Sequence, residues 1–90
     1  MMRFEWDLKK ATINLLKHGV AFEEAARAFE DELSATFPDT DHSTGEVRLI
    51  TYGMISGGKL LVISHTERGE VIRIISARIA TKAERKRYES

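Results

Sequence analysis

Residues Val71 to Ile79 form a dense β-branched run, VIRIISARI, broken by two arginines, Arg73 and Arg78. A charge inside such a run is costly unless something at the site uses it. A guanidinium is a planar fork that stays charged and grips oxyanions in pairs of hydrogen bonds, so anion binding is the chemistry these two residues offer. Beyond them the pattern turns helical and basic, with Lys82, Arg85, Lys86 and Arg87 between Thr81 and Glu89. Such a surface draws polyanions whatever their sequence. Two further side chains can move protons: His65, of a type that titrates near pH 6.5, and Tyr88, one helical turn from Glu84. Each of the four also has a structural reading. Arg73 can pair with Glu5 or Glu46, Arg78 can bridge to Glu84 or cap a helix, His65 can be a satisfied core histidine, and Tyr88 can be a docking aromatic.

Ninety residues make a single domain, 1–90, with a small core. A hydrophobic content of 42% and a charged content of 31% are those of an ordinary globular chain and exclude extended disorder. There is no cysteine, hence no disulfide and no thiolate metal site. No apolar run approaches the roughly 20 residues of a membrane span, and MMRFEWDLKK lacks an apolar signal core. The chain therefore reads as cytoplasmic. Its zero net charge hides an asymmetry: residues 1–70 hold 8 Lys/Arg against 12 Asp/Glu, residues 71–90 hold 6 against 2.

The elements that must position these groups follow in order. Arg3 to Trp6 suits a short strand, and Asp7 an N-cap. Leu8, Ala11, Leu15 and Leu16 fall on one stripe of an amphipathic helix, which Lys17, His18 and Gly19 end. Phe22, Ala25, Ala26 and Phe29 predict a second helix of about nine residues. Glu30 to Glu32 reads as a solvated helix exit. From Leu33 the period becomes two through Phe37, followed by the turn-rich loop PDTDHSTGE. Asp39, Asp41 and His42 have ligand chemistry, but turns require these residue types and no metal is assigned. Val47–Ile55, Lys59–Thr66 and Val71–Ile79 are strands joined by tight turns. The whole is an α+β domain: two N-terminal helices packed on an antiparallel meander, with a basic C-terminal helix.

If both turns hold two residues, Ile50, Tyr52 and Met54 share the helix-covered face with Leu61, Ile63, His65, Ile72, Ile74, Ser76 and Arg78. Thr51, Ser64 and Arg73 then centre the opposite face. A slip or bulge of one residue exchanges the faces. In particular, Arg73 and Arg78 reach one face only if the strand twists or bulges near Ser76.

FEWD at 4–7, NLLKHGVAFEEA at 14–25, PDTDHSTGE at 38–46, HTERG at 65–69 and RIISARIATKAERKRYE at 73–89, in this order, resemble the BrnT toxins of bacterial type II toxin–antitoxin systems. Ala21 departs from the serine common before FEEA, and Ile79 from a polar or basic residue after SAR. The resemblance implies a RelE-like ribonuclease fold and RNA cleavage that arrests translation. It also implies a BrnA-like ribbon-helix-helix antitoxin, a heterotetramer of two toxins and two antitoxins, and repression of the operon through operator DNA.

Under that resemblance, Arg73 and Arg78 stabilise phosphate and phosphorane charge. His65 is the first candidate for acid or base and Tyr88 the second. Lys17, His18, Lys82, Arg85 and Lys86 supply RNA contacts, with no cofactor required. The reading from another class is a non-catalytic nucleic-acid-binding or protein-interaction module that uses the basic C-terminal helix.

Overall fold

The computed structural model describes residues 2–42 and 45–90; Ser43 and Thr44, within the expected loop, lie outside the described residues. Five strands, β1 (Arg3–Glu5), β2 (Ala35–Pro38), β3 (Leu49–Ile55), β4 (Lys59–Arg68) and β5 (Val71–Ile79), form one sheet in the order β1-β5-β4-β3-β2. Among the described residues three helices accompany it: α1 (Leu8–His18), α2 (Phe22–Ala28) and α3 (Lys82–Glu89). Among the described residues no helix is long and apolar enough to cross a membrane.

The expected antiparallel meander is present, and the sheet adds a parallel strand to it. β2 to β5 are antiparallel neighbours, but β1 lies parallel to β5, pairing Phe4 with Ile72 and Glu5 with Arg73. α1 and α2 carry the chain from β1 at one edge of the sheet to β2 at the other, and β5 then returns beside β1.

Helix ends follow local chemistry. Asp7 accepts from the Lys10 N–H at 3.1 Å, and Gly19, at φ 70°, donates to the Leu15 carbonyl. Ala21 has no hydroxyl to cap α2, so the Glu24 carboxylate alone reaches back to the Ala21 N–H. In α3, Thr81 and Glu84 exchange the reciprocal bonds of a capping box.

Phe22, Ala25 and Ala28 of α2 are fully buried on β3, β4 and β5 with Leu61, Ile63 and Ile74. The approach is close: a Cβ added at Gly53 would stand 2.3 Å from the Ala28 carbonyl oxygen. The orientation of α1 is the larger surprise. Leu8, Leu15 and Leu16 face solvent, and Asn14 is its buried residue. The Asn14 amide donates to the carbonyls of Ala77 (2.8 Å) and Val20 (3.0 Å) and accepts from the Ala77 N–H (3.1 Å). Three buried backbone groups thus gain partners, and leaving any one unpaired costs about 1–3 kcal/mol. The leucine stripe points elsewhere as a consequence.

Two local features reassign the faces. Ile55 pairs with Lys59, so the first hairpin loop holds three residues, Ser56 to Gly58, and β3 shifts by one relative to the two-residue expectation. Thr51 and Gly53 therefore face α2 with Ile63 and Leu61, while Ile50, Tyr52 and Met54 face away. On β5, His65 pairs with Ile74 and Ser64 with Ser76, leaving Ile75 as an extra residue. This bulge puts Ser76 and Arg78 on the face away from α1 and α2, together with Arg73.

Candidate nucleic-acid interface

The face not covered by α1 and α2 holds two adjacent concavities, and Ile50 lines both. The first, of about 420 Å³, is lined by Arg48, Arg78, Ser64, Ser76, Asp39, Asp41 and His42, with Ile50, Val62 and Ile75 as its floor. The second, of about 390 Å³, runs between β2, β3 and α3 and is walled by Leu33, Phe37, Tyr52, Arg87 and Tyr88. One is lined by charges of both signs and by hydroxyls, the other is aromatic.

Arg78 sits where they meet. Its guanidinium grips the Glu84 carboxylate through two bonds of 2.7 and 2.9 Å. That contact, more than any other, holds the Glu84 carboxyl down at about 2 and raises Arg78 further. The Tyr52 hydroxyl also donates to Glu84, at 3.4 Å, and burial raises its pKa. α3 is thereby fastened over the open face. The bridge to Glu84, one of the two structural readings of Arg78, is present, and the Arg78 side chain keeps 40% exposure beside the cavity.

The loop after β2 brings a second group to the first concavity. His42 Nδ1 lies 3.0 and 3.1 Å from the two carboxylate oxygens of buried Asp39, while the His42 side chain is 67% exposed. A carboxylate only accepts, so Nδ1 carries the proton and Nε2 is left as the acceptor nitrogen of the neutral ring. The sequence reading weighed His42 only as a metal ligand or turn residue and did not single out Arg48. Their signals were the Asp39-x-x-His42 spacing and a cation just before a strand.

His65 stands on the other side of the sheet. It is fully buried, its Nε2 lies 2.7 Å from Thr51 Oγ1, and Thr51 in turn meets Thr36 Oγ1 at 2.7 Å. Phe29 packs edge-on against its ring at 5.0 Å. Burial pushes its pKa down to about 4, which makes it a neutral core histidine at pH 7.

The remaining candidates are dispersed. Arg73 shares the open face but pairs with Glu5 at 3.2 Å, and five strand residues place it about 15 Å from Arg78. Tyr88 donates to Asp31, and burial followed by that bond pushes its pKa up to about 12. Asp31 also accepts from the N–H groups of Leu33 and Met54, so it is an anchor rather than a solvated helix exit. Arg85 donates to the Gly58 carbonyl and pairs with Glu89. Lys82 and Lys86 are exposed on α3, whereas Lys17 and His18 lie at the end of α1, on the covered side.

Comparison with known proteins gives this arrangement a family. Among curated proteins no sequence matches. A crystal structure of the Brucella abortus ribonuclease toxin BrnT superposes with a TM-score of 0.72 at 25% identity, covering 91% of this chain and 100% of that one. The family model described as the ribonuclease toxin BrnT of type II toxin–antitoxin systems matches residues 6–84. The chain belongs to the BrnT family of ribonuclease toxins of type II toxin–antitoxin systems.

Proposed function

We propose that the chain is a RelE-like endoribonuclease whose RNA crosses the open face, with the scissile phosphate in the concavity between His42 and Arg78. The observation that carries this reading is the gathering of an aspartate-oriented histidine, two arginines and two serines in one open cavity. Arg78 and Arg48 meet the phosphate oxygens, where charge develops in the transition state. His42 Nε2 takes the proton from the ribose 2′-hydroxyl, the 2′-oxygen attacks phosphorus, and the bond to the 5′-oxygen breaks. The leaving oxygen takes a proton from water, which the open cavity admits, the hydroxide so formed takes the proton from the His42 imidazolium, and the product ends in a 2′,3′-cyclic phosphate. Bases stack in the neighbouring aromatic groove, against Tyr52 and Phe37. Arg73, Lys82 and Lys86 contact phosphates farther along the strand.

A toxin of this kind has a cognate antitoxin. On the present reading it is a BrnA-like ribbon-helix-helix protein that joins two toxins to two antitoxins and carries the complex to operator DNA. RNA cleavage by the free toxin arrests translation. The test is cleavage of single-stranded RNA by the purified chain in the presence of a chelator. Cyclic phosphate ends are expected, with a loss of about 10²- to 10⁴-fold for His42→Gln. Intact RNA, or a variant as fast as the wild type, overturns the assignment.

A further inference from the structure

Helix α1 turns an apolar strip toward solvent. Leu8, Ile13, Leu15 and Leu16 are 79%, 61%, 50% and 83% exposed. Leu8 lies seven and eight residues from Leu15 and Leu16, and Ile13 three from Leu16, so the four side chains adjoin on one surface. Single exposed leucines are ordinary, but a contiguous apolar strip marks an interaction surface. Nothing in the domain competes for it, because Asn14 commits the opposite side of the helix to β5.

Charge decides what fits. Lys9, Lys10 and Lys17 are exposed beside the strip, and α1 contains no acidic residue. A second copy packed on this face would set lysine against lysine. An anionic helix would satisfy both the strip and its rim. From Leu8 to Leu16 the strip runs about 12 Å, the footprint of roughly two turns of a partner helix.

We infer that the leucine face of α1 docks an amphipathic helix of the cognate antitoxin, apolar along one stripe and flanked by Asp and Glu. The choice of antitoxin rests on membership in a toxin–antitoxin family; the chemistry of the surface rests on α1 alone. The docking face lies across the sheet from the His42–Arg78 concavity, so the two are separable by mutation.

The test titrates cognate antitoxin into the wild-type chain, into Leu8→Ser/Leu16→Ser and into Lys9→Glu/Lys17→Glu. The leucine variant is expected to bind about 100-fold more weakly, with unchanged Tm and unchanged RNA cleavage in the absence of antitoxin. The lysine variant is expected to bind more weakly and with a flatter salt dependence. Affinities within about threefold of wild type for both variants overturn the inference, as does an antitoxin that does not bind the wild-type chain. Two other results also overturn it. A wild-type dimer that Leu8→Ser/Leu16→Ser dissociates would assign the strip to a second copy, and leucine-dependent partitioning onto phosphatidylglycerol vesicles would assign it to a lipid surface. A wild-type chain that leaves RNA intact would defeat the proposed ribonuclease site and leave the docking measurement standing.

Discussion

The covered face of the sheet holds His65 with no exposure, its ring between Phe29 and a threonine pair, whereas the open face holds His42 exposed and oriented by Asp39. The two side chains are identical, and their surroundings give them different uses. Desolvation keeps His65 neutral and apolar in effect. A carboxylate behind His42 fixes the tautomer of its neutral ring. Residue type nominates a histidine for proton transfer, but access and orientation decide which one can perform it.

The largest expected effect breaks this comparison directly. His42→Gln should lower RNA cleavage by about 10²- to 10⁴-fold, while His65→Gln should leave the rate per folded molecule within about threefold. The opposite ranking would return proton transfer to the core histidine. Stability should rank the pair the other way. The folded pKa of His65, about 4, lies below the roughly 6.5 of the unfolded chain, so the unfolded state takes the proton first. Its contribution is complete above pH 6.5 and is lost as the pH falls toward 4. Urea denaturation between pH 6.5 and 4.5 should show a loss of about 2–3 kcal/mol that His65→Gln flattens.

Asn14→Ala strips partners from three backbone groups and should cost about 3 kcal/mol or more, against under about 0.5 for Leu16→Ser on the other side of the same helix. Equal costs would mean that α1 is not seated by its amide. A smaller effect than that of Asn14→Ala concerns the fastening of α3: Tyr88→Phe removes the bond to Asp31 and should lower stability by about 1 kcal/mol. A much larger loss of cleavage than of stability would instead give the phenol a part in the chemistry.

Features decided within a few residues were legible in the sequence. Asp7, Gly19 and Thr81 end helices as their types suggest, because caps depend on adjacent backbone groups. β5 and α3 were placed well for the same reason. Face assignment was not legible, since it turned on whether the first hairpin loop holds two residues or three and on one extra residue at Ile75. The stripe on α1 misled because hydrophobic periodicity does not register an amide that satisfies three distant backbone groups. The parallel pairing of β1 depends on contacts some 70 residues apart in the chain, as Phe4 with Ile72 illustrates. For the candidate site, Arg78 stood out as a charge in an apolar run. His42 did not, because its partners in the cavity come from other strands.

The bulge at Ile75 has a consequence for how the strand tolerates change. Before it, Ile72 and Ile74 face the helices; after it, Ala77 does, so the alternation of permissive and restrictive positions shifts phase within one strand. A saturation mutagenesis profile across β5 should carry that phase break as a readable signature. Deleting the single residue Ile75 should restore one continuous phase and leave Arg78 on the open face, whereas straightening the strand with Ile75 retained would turn Arg78 inward.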